Sequence, residues 1–514
     1  MKQSIHRFWA SVGVGAGIFI VAADWSIVQN ALPVLQRSLG ASIGELQWIM
    51  NAFSIFTVGF LVVMGRVGDI VGRRKIYVLG VLVFTAASLG AALSTNALAL
   101  IMARACQGLG FAMIMPMGQA LIVHIYPEEE HGKAMGIWGL LAGLGIVFGP
   151  IIGGLIVSFF AWQWIFYINI PVAAFVLVLV ALFVEESRNQ ESPPHLDIKG
   201  AVCFTIGVGA LIFTIVQAPD WGFGLPVGLA SAVALAAFTV FYFLEQKAQT
   251  PLIQFDFFKN HRFFGGAIGI FTACFLSWTS FFLVPLYFQI YRHDPPWISG
   301  LALVAIGVAY SLFAQIGGKL SDKIDKRKII FVGFILMFLE LISFTISIEV
   351  IPFAVIVFLL FIFGTGMSLA WIPSNSLGIS ALPRGYAGIA SGAIATIQET
   401  GGAVGLAITG SVLRVAEKYR FAALAESGGV RLPEPVAREA KTLLSNPKQW
   451  YAFLSAKVSY SYDQLSDLFT HSFLFGLRSA LYLAIALTLL VMIVLIVLFT
   501  RDRERKSPAK KKSV

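Results

Sequence analysis

Long apolar runs alternate with short polar segments along the whole chain. A helix needs about 20 apolar residues to cross a bilayer, and fourteen runs meet that requirement. They lie near 9–33, 45–64, 76–94, 97–122, 133–158, 164–184, 198–218, 225–244, 264–290, 298–317, 329–349, 353–373, 389–412 and 471–499. The strands of a membrane barrel would instead alternate over about ten residues, and the sequence has no such period. The pattern therefore predicts an all-α polytopic membrane protein with about fourteen transmembrane helices.

The composition agrees with this pattern. Of 514 residues, 58% are hydrophobic and 12% are charged, and the charged share is about half of that in globular proteins. The three cysteines, Cys106, Cys203 and Cys274, fall inside apolar runs without the spacing of a metal site or a disulfide framework. The sequence also lacks the phosphate-binding lysine loop of ATPases. We therefore expect no metal, no other cofactor and no enzymatic activity.

The net charge of +10 is distributed as in membrane proteins. With a cytoplasmic N-terminus and fourteen crossings, the short cytoplasmic segments hold eighteen Lys and Arg residues, and the last fourteen residues add seven. The short outer loops hold two, Arg37 and Arg292. Because basic loops stay in the cytoplasm, we expect both termini to be cytoplasmic in a cell (inner) membrane. The bilayer, and not nucleic acid, is the expected partner.

The sequence contains one internal repeat. GRVGDIVGRRK (65–75) follows the second run, and GKLSDKIDKRK (318–328) follows the tenth. A charged turn after the second helix of each half suggests a duplicated six-helix bundle, with runs seven and eight as an inserted hairpin. The predicted units are an N-terminal half (1–184), a linker with the inserted hairpin (185–262), a C-terminal half (263–499) and a basic cytoplasmic tail (500–514).

Two segments outside the runs have partly helical spacing. Residues 245–262 are predicted to include a short helix on the inner membrane face. The long outer segment 413–470 contains VAREAKTLLS and YDQLSDLFT, which have helical spacing. A solvated loop with some helix is favoured for this segment. A cover over the exit and a docking site for a partner remain the alternatives.

Five stretches stand out, namely GRVGDIVGRRK (65–75), GLGIVFGPIIGG (143–154), ADWSIVQNALP (23–33), RACQGLGFA (104–112) and WQWIFYINIP (162–171). Together they resemble the fourteen-helix drug:proton antiporters of the EmrB/QacA type within the major facilitator superfamily. The first is the loop GRVGDIVGRRK, in which Asp69 can pair with Arg73 one helical turn later. The resemblance implies a cytoplasmic gate that latches the two halves while the transporter faces outward. In the second copy Asp325 stands where the first has Gly72, which puts the turn geometry in question. The predicted gate residues are Gly65, Asp69, Gly72, Arg73, Arg74, Asp322 and Arg327.

The second stretch is GLGIVFGPIIGG (143–154) in the fifth run. Small residues at every fourth position let two helix backbones touch, and a proline bends the helix. In the family this stretch is the antiporter signature, which packs against the other half and hinders a leak. Generic helix packing would need the same contact. The residues concerned are Gly145, Gly149, Pro150, Gly153 and Gly154.

The third and fourth stretches place opposite charges inside the membrane. ADWSIVQNALP (23–33) resembles the first-helix motif of the family, and RACQGLGFA (104–112) matches its Arg-x-x-Gln-Gly. At 1.5 Å per residue, Asp24 and Arg104 both lie roughly 10–14 Å from the outer surface and can meet. A movable contact would switch Asp24 between holding and releasing a proton. A static structural ion pair is the alternative.

Other polar residues inside the runs are candidates for the substrate cavity or for coupling. Glu399 stands where the family typically has Gln, so it is a second candidate proton carrier or a contact for a cationic substrate. The fifth stretch, WQWIFYINIP (162–171), is interpreted mainly as an anchor at the outer interface. The cavity candidates are Trp25, Ser26, Gln29, Gln107 and Glu340.

The resemblance implies a proton-coupled exporter of amphipathic or lipophilic small molecules, in multidrug efflux. One alternative is a dedicated exporter of an endogenous metabolite such as a siderophore. Another is an uncoupled membrane receptor or lipid-handling protein on the same fold. The implied partners are a small-molecule substrate, protons, the lipid bilayer and, as in EmrB-like proteins, a periplasmic adaptor with an outer-membrane channel.

Overall fold

The computed structural model describes residues 2–127, 130–188, 197–249, 251–382, 387–427, 447–458 and 462–506, with a few more between 432 and 444. These residues form fourteen long helices. They are α1 Lys2–Leu39, α2 Ile43–Val71, α3 Arg73–Ala92, α4 Ala97–Ile125, α5 His131–Phe159, α6 Asn169–Phe183, α7 Ile198–Trp221, α8 Leu225–Lys247, α9 His261–Leu286, α10 Pro296–Lys323, α11 Lys326–Ser347, α12 Phe353–Ser380, α13 Ala387–Ser427 and α14 Tyr462–Lys506. Short helices cover Trp164–Tyr167, Phe255–Lys259 and Pro447–Lys457. Residues 189–196 of the predicted linker and 507–514 of the basic tail lie outside the described residues.

Thirteen of the described helices are long and apolar enough to cross a membrane. The remaining long helix, α13, is less apolar because Gln398, Glu399 and several Gly and Thr residues interrupt it. It nevertheless packs against α9 and α14, which are both among the thirteen. The prediction of an all-α polytopic protein with about fourteen transmembrane helices is confirmed.

The same helix contacts occur in both halves. In the N-terminal half α1 packs on α5, and α4 packs on α2 and α3. In the C-terminal half α9 packs on α13, and α12 packs on α10 and α11. We call the membrane face at which α1 begins and α14 ends the inner face and the opposite one the outer face. Two six-helix halves with an inserted pair, α7 and α8, therefore make up the structure.

Glycines at matching positions bring the backbones together in both halves. A Cβ on Gly145 of α5 would lie 2.6 Å from the Phe19 carbonyl oxygen of α1. A Cβ on Gly401 of α13 would collide with the Phe271 carbonyl oxygen of α9 in the same way. Only glycine allows such close approach of two helices. The duplication suggested by the charged loops thus extends to the packing of the helices.

The inserted helix α7 lies across the α2–α13 contact. Its apolar face, which includes Phe204, Val208 and Ile212, is buried in one cluster with side chains of α2 and α13. Its outer end is fixed by Asp220, which forms ion pairs of 2.5 Å with both Arg414 and Lys418 of α13. The helix α7 therefore covers one of the two places where the halves meet.

Much of the outer segment 413–470 is helical. The helix α13 continues to Ser427 and α14 begins at Tyr462, with the short helix Pro447–Lys457 between them. Trp450 is fully buried, and its ring contacts Phe421 and Phe469 at centroid distances of 5.9 and 5.5 Å. The described part of this segment therefore has a small core of its own. The sequence favoured a solvated loop with some helix. The helix is present in the described part, but that part is not simply solvated, because burying these aromatic rings stabilises a packed arrangement.

Candidate functional site

A buried ion pair joins α1 and α4. Asp24 and Arg104 are both fully buried, and Arg104 Nη1 lies 2.5 Å from Asp24 Oδ2. The meeting of these charges expected from their depth is observed. A charge in the bilayer interior is costly unless it is paired and hydrogen-bonded, so the surrounding polar groups decide how this pair is held.

The Asp24 carboxylate accepts two further hydrogen bonds. Asn169 Nδ2 donates to Oδ1 over 2.7 Å and Gln107 Nε2 donates to the same oxygen over 3.2 Å. Both amides also donate to the Ser88 hydroxyl, at 3.1 and 2.8 Å. We call Asp24, Ser88, Arg104, Gln107 and Asn169 the polar network. Its members come from α1, α3, α4 and α6, so it connects four helices of the N-terminal half.

Helical spacing explains how α4 presents its part of the network. Residues three and four apart lie on one face of a helix, which places Arg104, Gln107 and Gly108 together. Gly108 has no side chain, and a Cβ there would collide with the Phe53 carbonyl oxygen of α2. The glycine thus lets α4 lie close to α2. The guanidinium of Arg104 lies 4.5 Å over the Phe53 ring of α2, and its Nε donates to the Ile49 carbonyl of the same helix over 3.3 Å.

Sequence reasoning missed two members of the network. Asn169 lies within WQWIFYINIP, which the sequence pattern indicates mainly as an interface anchor. The chain turns through the short helix Trp164–Tyr167 before α6 begins at Asn169, and this brings the amide to Asp24. Ser88 gave no signal, because serine is common in transmembrane helices. The signal that could have revealed Asn169 is its amide side chain within the otherwise apolar run 164–184.

Asn169→Ala is expected to weaken the network without destroying the ion pair. A hydrogen bond to a charged group contributes about 1.5–3 kcal/mol, so the melting temperature should fall. Thermal unfolding measures this effect. Asn96→Ala removes the helix-capping bond that the Ala99 amide donates to the Asn96 side chain outside the network, and it serves as the control. A melting temperature of Asn169→Ala equal to that of the wild type would contradict a role for Asn169 in holding the network.

The three cavity candidates on α1 have different surroundings. The Trp25 ring reaches α9, with centroid distances of 5.1 Å to Trp278 and 5.4 Å to Phe281. Ser26 is buried and donates to the Gly145 carbonyl of α5 over 3.3 Å. Gln29 is buried, and neither polar atom of its side chain has a hydrogen-bond partner among the described residues. Gln29 and Trp25 thus remain candidates for contacting a substrate, whereas Ser26 bonds to a neighbouring helix.

The glycine-rich stretch of α5 has two faces. Cβ atoms on Gly149 and Gly153 would meet Ser26 and Ile27 of α1, in the same half. On the other face, a Cβ on Gly154 would lie 2.8 Å from the Pro296 carbonyl oxygen of α10. We expected the whole stretch to pack against the other half. The structure shows that Gly145, Gly149 and Gly153 pack on α1, and that Pro150 and Gly154 approach α10.

A polar clasp joins the two halves at the outer face. Asn30 donates to the carbonyl oxygens of Pro150 (2.9 Å) and Pro296 (3.3 Å) and accepts from the Ser299 hydroxyl (2.6 Å). Its backbone carbonyl accepts from Gln289 over 2.9 Å.

A second contact lies on the other side of the molecule, where the Gln47 amide of α2 donates to two α13 carbonyls, both at 2.9 Å. The halves are therefore held together at the outer face by the side chains of Asn30 and Gln47, which sequence reasoning did not single out.

The two remaining acids inside the runs lie apart from the polar network. Glu399 is half-buried on α13, and its Oε1 accepts from Gln398 over 3.1 Å. The ring of Trp278 approaches Gly402, one turn further along the same helix. Glu340 on α11 is buried, and its Oε2 has no hydrogen-bond partner among the described residues. Neither acid has a hydrogen bond to the network within the described part of the chain.

The inner turn between α2 and α3 holds the first copy of the charged loop. Arg73 Nη2 lies 2.8 Å from Asp69 Oδ1, which is the pairing expected from their spacing. Glu186, in the segment after α6, accepts from the backbone amides of Arg74 and Lys75 at 3.0 and 3.2 Å. A carboxylate at the start of α3 is favourable for the helix dipole. The action of this turn as a latch between the halves stays a prediction.

Gly72→Ala is expected to destabilise this turn. The φ of Gly72 is 133°, a region that L-residues avoid, and a Cβ there would lie 2.7 Å from the Glu186 carboxyl carbon. Left-handed backbone alone costs about 1–2 kcal/mol, so the melting temperature should fall. Gly90→Ala on α3, where the nearest atom to a Cβ is 3.9 Å away, is the control. A melting temperature equal to that of the control would refute this account of the turn.

The second copy of the loop uses a different cap. Asp325 begins α11, and its side chain accepts from the Arg327 amide over 3.1 Å. It also pairs with the Arg327 guanidinium at 2.6 Å. Aspartate is a preferred helix N-cap, which explains why this position does not need the glycine of the first copy. The side chain of Asp322 lies outside the described part of the structure. Gly65 faces Pro116 of α4, 3.6 Å from a Cβ position.

Fourteen helices in two repeated bundles, with buried charges inside, define a polytopic membrane transporter. The profile of the Major Facilitator Superfamily matches residues 14–406. The chain belongs to this superfamily, as the sequence motifs predicted.

Several relatives cover most of the chain. Multidrug resistance protein Stp of Mycobacterium tuberculosis (strain CDC 1551 / Oshkosh) is 29% identical, over 96% of this chain and 92% of Stp. Riboflavin transporter RibZ of Clostridioides difficile (strain 630) is 28% identical, over 77% of this chain and 86% of RibZ. Among solved structures, a bacterial homolog of the human lysosomal transporter Spinster, inward-facing and unoccupied, aligns with a TM-score of 0.64. That alignment covers 96% of this chain and 98% of the homolog, at 13% identity. The likeness to the solved structure supports the fold alone.

Proposed function

We propose that the chain is a proton-coupled exporter of amphipathic or lipophilic small molecules, acting as an antiporter in multidrug efflux. The observation that carries this proposal is the buried Asp24–Arg104 pair within the polar network. A protonated Asp24 has lost its negative charge, so binding a proton and keeping the ion pair compete with each other. Any movement that separates the two groups therefore favours proton uptake by Asp24, and their return favours release.

The competition between proton binding and the ion pair can drive transport when it is coupled to alternating access, in which the site opens to one side of the membrane at a time. In this structure the outer face is held by the Asn30 clasp and the Gln47 contacts. Asn30 lies less than two helical turns from Asp24 on α1, so a shift of α1 at the clasp also moves the carboxylate. This link supports a cycle in which an outer proton reaches Asp24 only after the clasp has opened.

Aromatic and acidic groups between the halves support the substrate class. Trp25, Trp278 and Phe281 form a cluster between α1 and α9, and Glu399 lies on the neighbouring helix α13. Aromatic faces attract apolar and cationic molecules, and a carboxylate adds attraction for a cation. The relative named multidrug resistance protein Stp supports drug efflux. The relative named riboflavin transporter RibZ supports the alternative of one dedicated metabolite.

Transport in inside-out membrane vesicles tests the proposal. The vesicle lumen corresponds to the outer side, so an acidic lumen should drive uptake of substrate by the full chain. A panel of lipophilic cations, neutral drugs and siderophores is offered with and without a protonophore. Protonophore-sensitive uptake of several lipophilic compounds supports the proposal. Uptake of siderophores alone would favour the dedicated exporter, and binding without uptake would favour an uncoupled receptor.

A further inference from the structure

The two contacts between the halves are covered differently. The α2–α13 contact lies under α7, whereas no described helix lies over the α5–α10 contact. We call these the covered seam and the open seam. A molecule dissolved in the bilayer meets different barriers at the two seams.

The covered seam is closed at several levels. A Cβ on Gly59 of α2 would collide with the Thr205 side chain of α7, so this side chain packs directly against the α2 backbone in the inner half of the membrane. Towards the outer face Ser411 of α13 donates to the Ile215 carbonyl of α7 over 2.7 Å. Packing of this kind leaves no path for an apolar molecule to pass sideways between the halves.

Among the residues whose side chains the structure describes, the close contacts of the open seam extend from the outer face to the middle of the membrane. A Cβ on Gly307 of α10 would lie 2.7 Å from Val147 of α5, and a Cβ on Gly143 would lie 3.4 Å from Ser311. One turn further inward, a Cβ on Gly139 would meet nothing within 4 Å. A cavity of about 600 Å³ opens here between α5, α10 and α12, which is in the range of small-molecule sites.

The depth of this cavity places it within the inner leaflet. Gly139 is eight residues into α5 from its start on the inner face at His131. At 1.5 Å per residue the distance is about 12 Å, and half of the hydrocarbon core is about 15 Å. Leu140, which lines the cavity, is 55% exposed, and the nearby Leu312 of α10 is also exposed. The cavity thus faces acyl chains.

The walls of the cavity combine aromatic surface with hydrogen-bonding groups. Tyr310 and Trp371 lie edge to face, with ring centroids 6.4 Å apart. The buried Ser311 hydroxyl has no hydrogen-bond partner among the described residues, and Asn375 lines the same space. Leaving a buried hydroxyl unpaired costs about 1–3 kcal/mol, and a ligand with a polar head would remove that cost.

We propose that this cavity is the site at which a substrate enters from the inner leaflet. The substrate class is an amphipath with an aliphatic or aromatic body and a hydrogen-bonding head. The body lies against Tyr310 and Trp371, and the head bonds to Ser311. The covered seam makes the route one-sided, because α7 excludes bilayer molecules from the opposite contact. This inference rests on the exporter function proposed above and names its substrate path.

Photocrosslinking of the full chain in liposomes tests the site. The probe is a long-chain alcohol that carries a diazirine, offered with and without an excess of the same alcohol lacking the diazirine. We expect saturable cross-links in 139–143, 310–314 and 371–376. Gly139→Trp fills the mouth and should remove most of them. Gly228→Trp on α8, where a Cβ also meets nothing within 4 Å, should leave them unchanged.

Three outcomes would overturn the proposal. They are uniform labelling of lipid-facing residues such as Leu82 and Leu235, equal labelling at the covered seam, and cross-links that persist in Gly139→Trp. Because the experiment uses no proton gradient, it is independent of coupling. Saturable cross-links together with proton-independent export would retain the site and reject the antiport mechanism. Proton-coupled export without saturable cross-links would retain the antiport mechanism and reject the site.

Discussion

Asp24→Asn is expected to abolish proton-coupled export. Asparagine has nearly the same shape as aspartate and keeps an oxygen for Arg104 and Asn169, but it neither binds nor releases a proton near neutral pH. Addition of substrate to the purified wild-type protein should release protons, and the variant should release none. Vesicle uptake driven by an acidic lumen should be lost as well.

Loss of folding must be separated from loss of coupling in this variant. Removing one partner of a buried ion pair costs about 3–5 kcal/mol, because Arg104 is then left without its counter-charge. The double variant Asp24→Asn/Arg104→Gln removes both charges and should regain thermal stability without regaining coupling. Asp256→Asn, at an exposed acid of the inner surface, is the control and should behave as wild type. Full proton release by Asp24→Asn would end the proposed role of Asp24.

Gly300→Val is expected to stop transport by forcing the outer face apart. A Cβ on Gly300 of α10 would collide with the carbonyl oxygen of Pro150 on α5. Both groups belong to helix backbones, so no side-chain rotation relieves the clash. The Asn30 clasp, which depends on this approach, should fail to form. The closed outer face would then be missing from the transport cycle.

Distances between spin labels measure this effect directly. Leu93 and Val350 are exposed at outer turns of the two halves, and cysteines at both positions accept labels once Cys106, Cys203 and Cys274 are replaced by Ser. The mean label distance should be longer in Gly300→Val than in the parent. Gly228→Val, at a glycine with no neighbouring atom within 4 Å of a Cβ position, should leave the distance unchanged. An unaltered distance in Gly300→Val would show that the contact is not needed for closure.

The sequence predicted what depends on local pattern. Runs of apolar residues predicted the helices, and the two charged loops predicted the duplication. The meeting of Asp24 and Arg104 was predictable because each is a charge in an apolar run, at a similar depth, and a bilayer leaves such charges few other partners.

The features that the sequence did not predict depend on contacts between distant segments. The spacing of Gly145, Gly149 and Gly153 predicts that another helix packs closely against α5. It does not identify that helix, because α1 and α10 fit the same spacing equally well. Asn30 is one polar residue among several on α1, and its partners Gln289 and Ser299 lie more than 250 positions away. The burial of Trp450 follows from the packing of the short helix Pro447–Lys457 against the outer ends of α13 and α14, and no local pattern marks that contact.

The anchoring of α7 has a consequence for how the molecule moves. Two bases of α13 hold Asp220, and Ser411 adds a further bond from the same helix. Towards the outer face the α2 contact of α7 is apolar, for example between Ile55 and Gly209. Apolar surfaces lack directional bonds and slide past each other more readily than ion pairs break. We therefore expect the outer end of α7 to move together with α13, and to shift relative to α2, when the two halves rearrange.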